Sequence, residues 1–264
     1  MSEAAAWDAF ARELDAWASA GRRATFWWRD DDATRPSGEL DRLLALTADQ
    51  KLVIALAVIP FEAGPELAAY LSAQPVRVFA HGWRHRNLAP AGRKKSEFPE
   101  GRPHAEALAD LAAARERIGV LFGALARPVL TPPWNRIDPG LPGQLAALGY
   151  RGLSAHGVRA GGPAAPGLAV ANTHLDPIDW RGTGTFVGTA ALLGRAGELL
   201  ARRRQGEADA TEPCGLLTHH LRHDQDGWTF VERFLRVTAQ HPGVRWIDPD
   251  HAFGWSGLPE EMPR

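Results

Sequence analysis

Apolar positions along the chain switch repeatedly between a helical period and short continuous runs. Trp7, Phe10, Leu14 and Trp17 recur at helical spacing with Asp8, Arg12 and Asp15 between them, so residues 1–22 read as an amphipathic N-terminal helix. ATFWWR follows as a first strand. Ser37 is placed to cap a helix carrying Leu40, Leu43, Leu44 and Leu46, and KLVIALAVIP reads as a buried strand closed by proline. The alternation then runs on through a helix near Pro65–Ser72, a strand VRVFA, a helix from Pro103 to Leu125 and a strand over Arg127–Thr131. Next come a helix around Leu141–Leu148, a strand Tyr150–Ser154, a loop GGPAAPG and a strand LAVANTHL. A helix over Thr189–Arg204, a strand CGLLTHH, a helix VERFLRVTAQH and a strand VRWI complete the pattern. No composition shift marks a second unit and no repeat has a fixed period, so residues 23–264 are expected to form one α/β domain, a parallel (β/α) barrel of about seven strands.

Composition narrows the partners. A chain of 264 residues fits one barrel of this kind. The formal charge of −1 and the isoelectric point near 6.8 provide no overall field for nucleic acid or an anionic membrane. Cys214 is the only cysteine, which excludes an intramolecular disulfide and a thiolate metal cage. The opening MSEAAAWDAFARELDAWASAGRR lacks the apolar stretch of a secretory signal, and the longest apolar run, LVIALAVI, is far short of the roughly 20 residues that span a bilayer. A cytoplasmic protein without a membrane span is expected.

Polar chemistry collects where strands end, the place where barrels of alternating strands and helices build their sites. WRDDDA, HGWRHRN, TPPWNR, DPIDW and LLTHH all fall there. His81 and His85 stand four apart, and one helical turn would put both imidazoles on one face, as chelation requires. Two histidines and a carboxylate from the acidic run leave open coordination positions, the mark of a catalytic metal site. The glutamate of HExxH is missing, so this is no zincin helix. Five of the ten tryptophans, Trp27, Trp28, Trp83, Trp134 and Trp180, lie in or beside these motifs and suit either core packing or the apolar faces of sugar rings. RKKSEFPEGR reads equally as a lid or a solvated loop.

The ordered series DD, HGWRH, TPPWN, DPIDW and LLTH resembles the polysaccharide deacetylase family, the metal-dependent carbohydrate esterases with the NodB homology region, from about Phe26 to His220. The resemblance implies a distorted (β/α) barrel and one divalent ion, usually Zn2+, with Co2+, Mn2+ or Ni2+ as alternatives. One Asp of the acidic run is then the base and the next a metal ligand. Three aspartates allow two frames; Ala33 suits the small residue that follows the pair, which favours Asp31 as base and Asp32 as ligand over the frame Asp30/Asp31. His81 and His85 complete the ligand set. Trp134 carries over as the backbone N–H donor to an oxyanion, His219 as the acid and Asp176 as the carboxylate that tunes it. Trp83, Pro133, Asn135, Asp179 and Trp180 are the implied substrate contacts.

The chain departs from the pattern at Thr131, where the family has an arginine that pairs with the base, and at Asn135, which replaces a glycine. Residues two apart on a strand share a face, so Arg29 is a candidate to stand in for that arginine while Asp30 points away. The implied reaction is hydrolysis of an acyl, chiefly acetyl, group from an N-acetylated sugar or glycan precursor, with a small-molecule or oligosaccharide substrate. Alternatives are hydrolysis of a non-sugar amide or cyclic amide, a catalytically inactive carbohydrate-binding barrel, and an iron-dependent redox enzyme, since two His and one carboxylate also make an iron(II) site.

Overall fold

The computed structural model describes residues 2–159 and 164–255. The start of the GGPAAPG loop and the end of the expected 23–264 unit lie outside the described residues. Strands β1 (Ala24–Ala33), β2 (Ile54–Val58), β3 (Val76–His81), β4 (Ala126–Thr131), β5 (Gly152–Leu153), β6 (Ala169–Val170), β7 (Cys214–Thr218) and β8 (Val244–Trp246) are all parallel. Their spatial order is β6-β5-β4-β3-β2-β1-β7, with β8 beside the first residues of β1. Helices α1 (Glu3–Ser19), α2 (Gly38–Gln50), α3 (Pro65–Leu71), α4 (His104–Phe122), α5 (Pro142–Leu145), α6 (Thr189–Arg204), α7 (Gln225–Gln240) and α8 (Pro249–Ala252) connect or flank them. This is a distorted (β/α) barrel.

The period of two along each strand divides the core. Phe26 and Trp28 of β1, Leu56 and Val58 of β2 and Val78 and Ala80 of β3 face the helices, together with Trp7, Phe10, Leu14 and Trp17 of α1. Trp27, Ala55, Phe79 and Val129 face inward and meet Ala252 and Phe253, which close the lower end. Below that apolar plug, Asp250 takes Arg77 (2.9 Å) and Arg127 (2.6 Å).

The barrel closes less regularly than the runs of apolar residues suggest. LAVANTHL contributes only two ladder residues as β6; the chain then stays extended, pairing Thr173 with His156 and Leu175 with Leu216. The physical reason lies in Asn172, whose side chain takes Ala155 N (3.0 Å) and donates to Gly157 O (2.9 Å), replacing ladder bonds. Closure also needs Gly215, where a Cβ would lie 2.5 Å from Asn172 O and 2.7 Å from Trp27 Nε1. Outside the seam, Arg203 and Glu212 pair at 2.9 Å and His174 joins Glu212 at 3.3 Å, all buried.

Three further boundaries differ from the pattern. β1 does not turn at its aspartates but carries them as strand residues to Ala33. Helix α7 begins a turn and a half earlier than VERFLRVTAQH because Asp224 caps it, accepting from Gly227 N at 2.7 Å. The short helix α8 escapes a periodicity reading; Asp248 as cap and Pro249 in the first turn are its signals. No helix among the described residues is long and apolar enough to cross a membrane.

Candidate active site

The acidic run is resolved by three different orientations. Asp30 faces outward and is fully buried, accepting from Thr218 Oγ1 (2.7 Å), His220 N (3.0 Å) and His220 Nδ1 (2.5 Å). Asp31 faces inward beside Arg29. The guanidinium donates from Nε to Asp31 Oδ1 (2.8 Å) and from Nη2 to Asp31 Oδ2 (3.0 Å), a two-point grip. Its remaining donors go to Asn135 Oδ1 (2.8 Å), Ser154 Oγ (2.6 Å) and Ala155 O (3.4 Å), so a fully buried cation is also fully satisfied. Thr131, where the resemblance calls for an arginine, is buried with its hydroxyl unpartnered. Asp32 has a φ of 74°, and the ladder shifts register between Asp31 and Ala33, which turns its carboxylate to the mouth.

There Asp32 Oδ1 lies 3.1 Å from His81 Nε2 and 3.3 Å from His85 Nε2. One donor atom from each of the three residues falls within 4.8 Å of the others, the one such cluster among the described residues. His81 Nδ1 donates to Thr131 O at 3.0 Å, since a carbonyl only accepts. That bond leaves Nε2 as the ligating nitrogen, the orientation metal-bound histidines take from their outer partners. Burial opposes charge on Asp32, yet the adjacent His81, with His219 and His85, holds its carboxyl far below the usual range. His81 is pushed upward: burial works against its protonation, but Asp31 and Asp32 outweigh it. His85 is lowered to about 4 by burial and by His81. Three converging donors, an orphaned buried carboxylate oxygen at Asp32 and a fixed tautomer at His81 fit a divalent ion.

The two histidines converge without a helix. Gly82 (φ 61°) and His85 (φ 53°) make a tight turn in place of the expected helical one. Glu97 holds that turn, accepting from Trp83 N (3.0 Å) and Arg84 N (2.8 Å). A Cβ at Gly82 would lie 2.1 Å from Glu97 Oε2 and 2.6 Å from Pro133, so glycine is required. Within RKKSEFPEGR, Ser96, Glu97 and Phe98 are therefore buried anchors, neither lid nor solvated loop, while Arg93, Lys94 and Lys95 are exposed. Among the described residues, four of the five non-glycine residues with positive φ (Asp32, His85, Trp134 and Asn135) belong to this site, where such strain is characteristically stored.

On the opposite rim, Asp176 accepts from Ile178 N (2.9 Å) and Trp180 Nε1 (2.7 Å); burial raises its pKa, with His219 opposing. Trp180, half exposed, stands edge-on to His219 at 4.9 Å, and the buried Nδ1 of His219 has no partner. Trp134 packs at 4.4 Å from the His85 ring, with Pro133 buried beneath. Two implied substrate contacts are occupied elsewhere. Trp83 packs on Phe61 (5.5 Å) against the outer core, and Asp179 closes its own turn through Arg181 N and Gly182 N. Of the motif tryptophans, Trp27 and Trp28 are core residues.

Reading the motifs alone missed Glu97, Ser154 and His156, and gave His220 no role, whereas it binds Asp30. His156, lowered to about 4 by burial and the charge of Arg29, lies just beyond β5 and bonds Thr173. Only its place after a strand could have suggested it.

No protein-family model and no curated protein matches the chain. Solved structures do. A Mycobacterium smegmatis protein described as a polysaccharide deacetylase superposes with a TM-score of 0.65 at 18% identity, over 92% of this chain and 95% of its own. The chitin deacetylase of Colletotrichum lindemuthianum gives 0.55 at 16% identity, over 88% of each chain. A peptidoglycan N-acetylglucosamine deacetylase bound to an N-oxidanyl-benzamide gives 0.54 at 15%, over 89% and 90%. The fold is thus the one shared by polysaccharide and peptidoglycan deacetylases.

Proposed function

We propose that the protein is a metal-dependent deacylase that removes an acetyl group from an N-acetylated sugar or glycan precursor. The observation that carries this reading is the placement of a mutually satisfied Arg29–Asp31 pair directly beside the Asp32, His81 and His85 cluster. Asp32, His81 and His85 would hold the ion, with zinc the expected occupant. Such an ion supplies Lewis acidity, lowering the pKa of water and polarising an acyl carbonyl.

Asp31 accepts the proton of the attacking water. Arg29 grips that carboxylate at two points and fixes its direction, the part the family gives to an arginine at the position of Thr131. The backbone N–H of Trp134 donates to the oxyanion as the carbonyl carbon becomes tetrahedral. His219, on the other rim, donates a proton to the departing amine, with the Trp180 ring packed edge-on against it and the Asp176 carboxylate acting on it through its charge. Trp134 and Trp180 offer apolar faces to a sugar ring on either side of the reacting centre.

The test is acetate release from a panel of N-acetyl sugars and small amides, run before and after chelation and metal restoration. Chelation is expected to abolish release, and His81→Ala to lose the metal while remaining folded. A folded protein that binds no transition metal at micromolar concentration would leave the inactive carbohydrate-binding barrel as the better reading. Release from cyclic amides alone would move the substrate from sugars to non-sugar C–N bonds.

A further inference from the structure

Five of the loops that follow strands carry exposed arginines: Arg35 after β1, Arg84 and Arg86 after β3, Arg136 after β4, Arg181 after β6 and Arg222 after β7. All lie at the end of the barrel that holds the candidate site. The exposed tract 93–95 adds further positive charge. A chain of net charge −1 has therefore gathered a group of exposed cations at one end.

The acids of those loops do not pair with these arginines. Glu97 accepts from backbone N–H groups of the turn before His85. Asp138 takes His104 (3.2 Å) and Gly140 N (2.7 Å). Asp176 is held by Ile178 and Trp180, Asp179 by its own turn, and Asp224 caps α7 while accepting from Phe186 N (2.9 Å). Among the described residues, Glu100 is the remaining exposed acid on these five loops, and none of the six arginines has a carboxylate within 4.0 Å. By contrast, the arginines of the lower end, Arg77 and Arg127, are both paired with Asp250.

The positive rim reaches the aromatic subsite. The Arg222 guanidinium lies 5.9 Å from the Trp180 ring, which itself stands against His219. We infer that the substrate is anionic: an acylated saccharide bearing a carboxylate or phosphate that the arginine rim attracts, with its sugar ring on Trp180. This inference rests on the deacylase reading for its acyl group, but the anion preference is a binding property that can be measured separately. Charges on such a rim accelerate capture and tighten binding at low salt, and the effect fades as the screening length shortens.

The test compares N-acetylglucosamine, N-acetylglucosamine 1-phosphate and N-acetylmuramic acid on the metal-loaded protein, by calorimetric binding and by acetate release. At about 20 mM salt both anions are expected to bind about tenfold more tightly than the neutral sugar, with the gap closing towards about 0.5 M. The double variant Arg35→Glu/Arg222→Glu should erase the preference in the calorimetric comparison while leaving metal content unchanged. A preference confined to one anion upholds the inference and names the group. Equal affinities at low salt, a preference insensitive to salt and to the double variant, or no binding of any compound would overturn it. Preferential binding without acetate release would leave the anion site standing and remove the deacylase reading.

Discussion

Trp27 and Arg29 sit two residues apart on the inward face of β1, yet they belong to different kinds of interior. Trp27 enters an apolar plug with Phe253 at 6.1 Å, and Phe79 meets the same ring at 5.7 Å. Shape and area hold this floor, and it carries charge only at its solvent edge, where Asp250 joins two arginines. Arg29, one step up, sits among Asp31, Asn135 and Ser154, where each donor has an acceptor and little area is at stake. Above it come strained residues and the orphaned oxygen of Asp32. The floor is built for stability, while the mouth retains groups that folding alone would leave out.

The largest effect expected from this division is on turnover. Asp31→Asn should keep the metal and lose roughly 10² to 10⁴ in kcat, the scale for removing a general base. Asp30→Asn, which breaks the outward bonds to His220 and Thr218, should act on stability with a much smaller kinetic effect. Metal analysis beside kcat decides it: loss of metal from Asp31→Asn would make Asp31 a ligand of the ion and undo the division of roles along β1.

Much of this division was legible in the chain, for reasons that can be named. Alternation in ATFWWRDDDA already separates Trp27, Arg29 and Asp31 from Phe26, Trp28 and Asp30, because a strand's side chains change face at every step. The order of strand-end motifs places the polar groups at one end of the barrel. Contacts made across the fold were not legible. Glu97 lies in a stretch whose neighbours read as solvated charge, and only the close approach of Gly82 and Pro133 shows why it is buried. The HGWRH spacing also suggests a helical turn, whereas Gly82 and His85 reach the same convergence with positive φ. Spacing limits which residues can meet, and the backbone path between them is set by neighbours distant in sequence.

The next effect joins stability to catalysis at one residue. Arg29 and Asp31 are 0% and 2% exposed, so Arg29→Gln leaves a buried carboxylate without its cation, at a cost of about 3–5 kcal/mol. Turnover should fall as well, with metal content unchanged if the ion and the pair are separate supports. The double variant Arg29→Gln/Asp31→Asn should recover part of the stability, because it removes the uncompensated charge, but none of the activity. Urea denaturation of the three proteins would show it. A loss under about 1 kcal/mol in the single variant would mean that water reaches Asp31 and that the mouth is less enclosed than its packing implies.

The smallest effect belongs to the floor and should leave the site untouched. Asp250 accepts from Arg127 at 2.6 and 2.8 Å and from Arg77 at 2.9 Å, at the partly exposed lower end. Burial favours the neutral acid, but the hydrogen bonds and charges of the two arginines outweigh it and lower its pKa. A lowered carboxyl contributes stability that is present above its unfolded value, about 3.9, and is lost as pH falls through the lower folded value. Asp250→Asn should therefore cost about 1–2 kcal/mol at neutral pH, and that difference should shrink once the pH drops below about 4. Metal content and neutral-pH turnover should match the parent, since Trp27, Phe79 and Phe253 stand between this cluster and Arg29. A fall in turnover at unchanged fold would show that the plug transmits strain to the mouth, and the two interiors would then have to be treated as one.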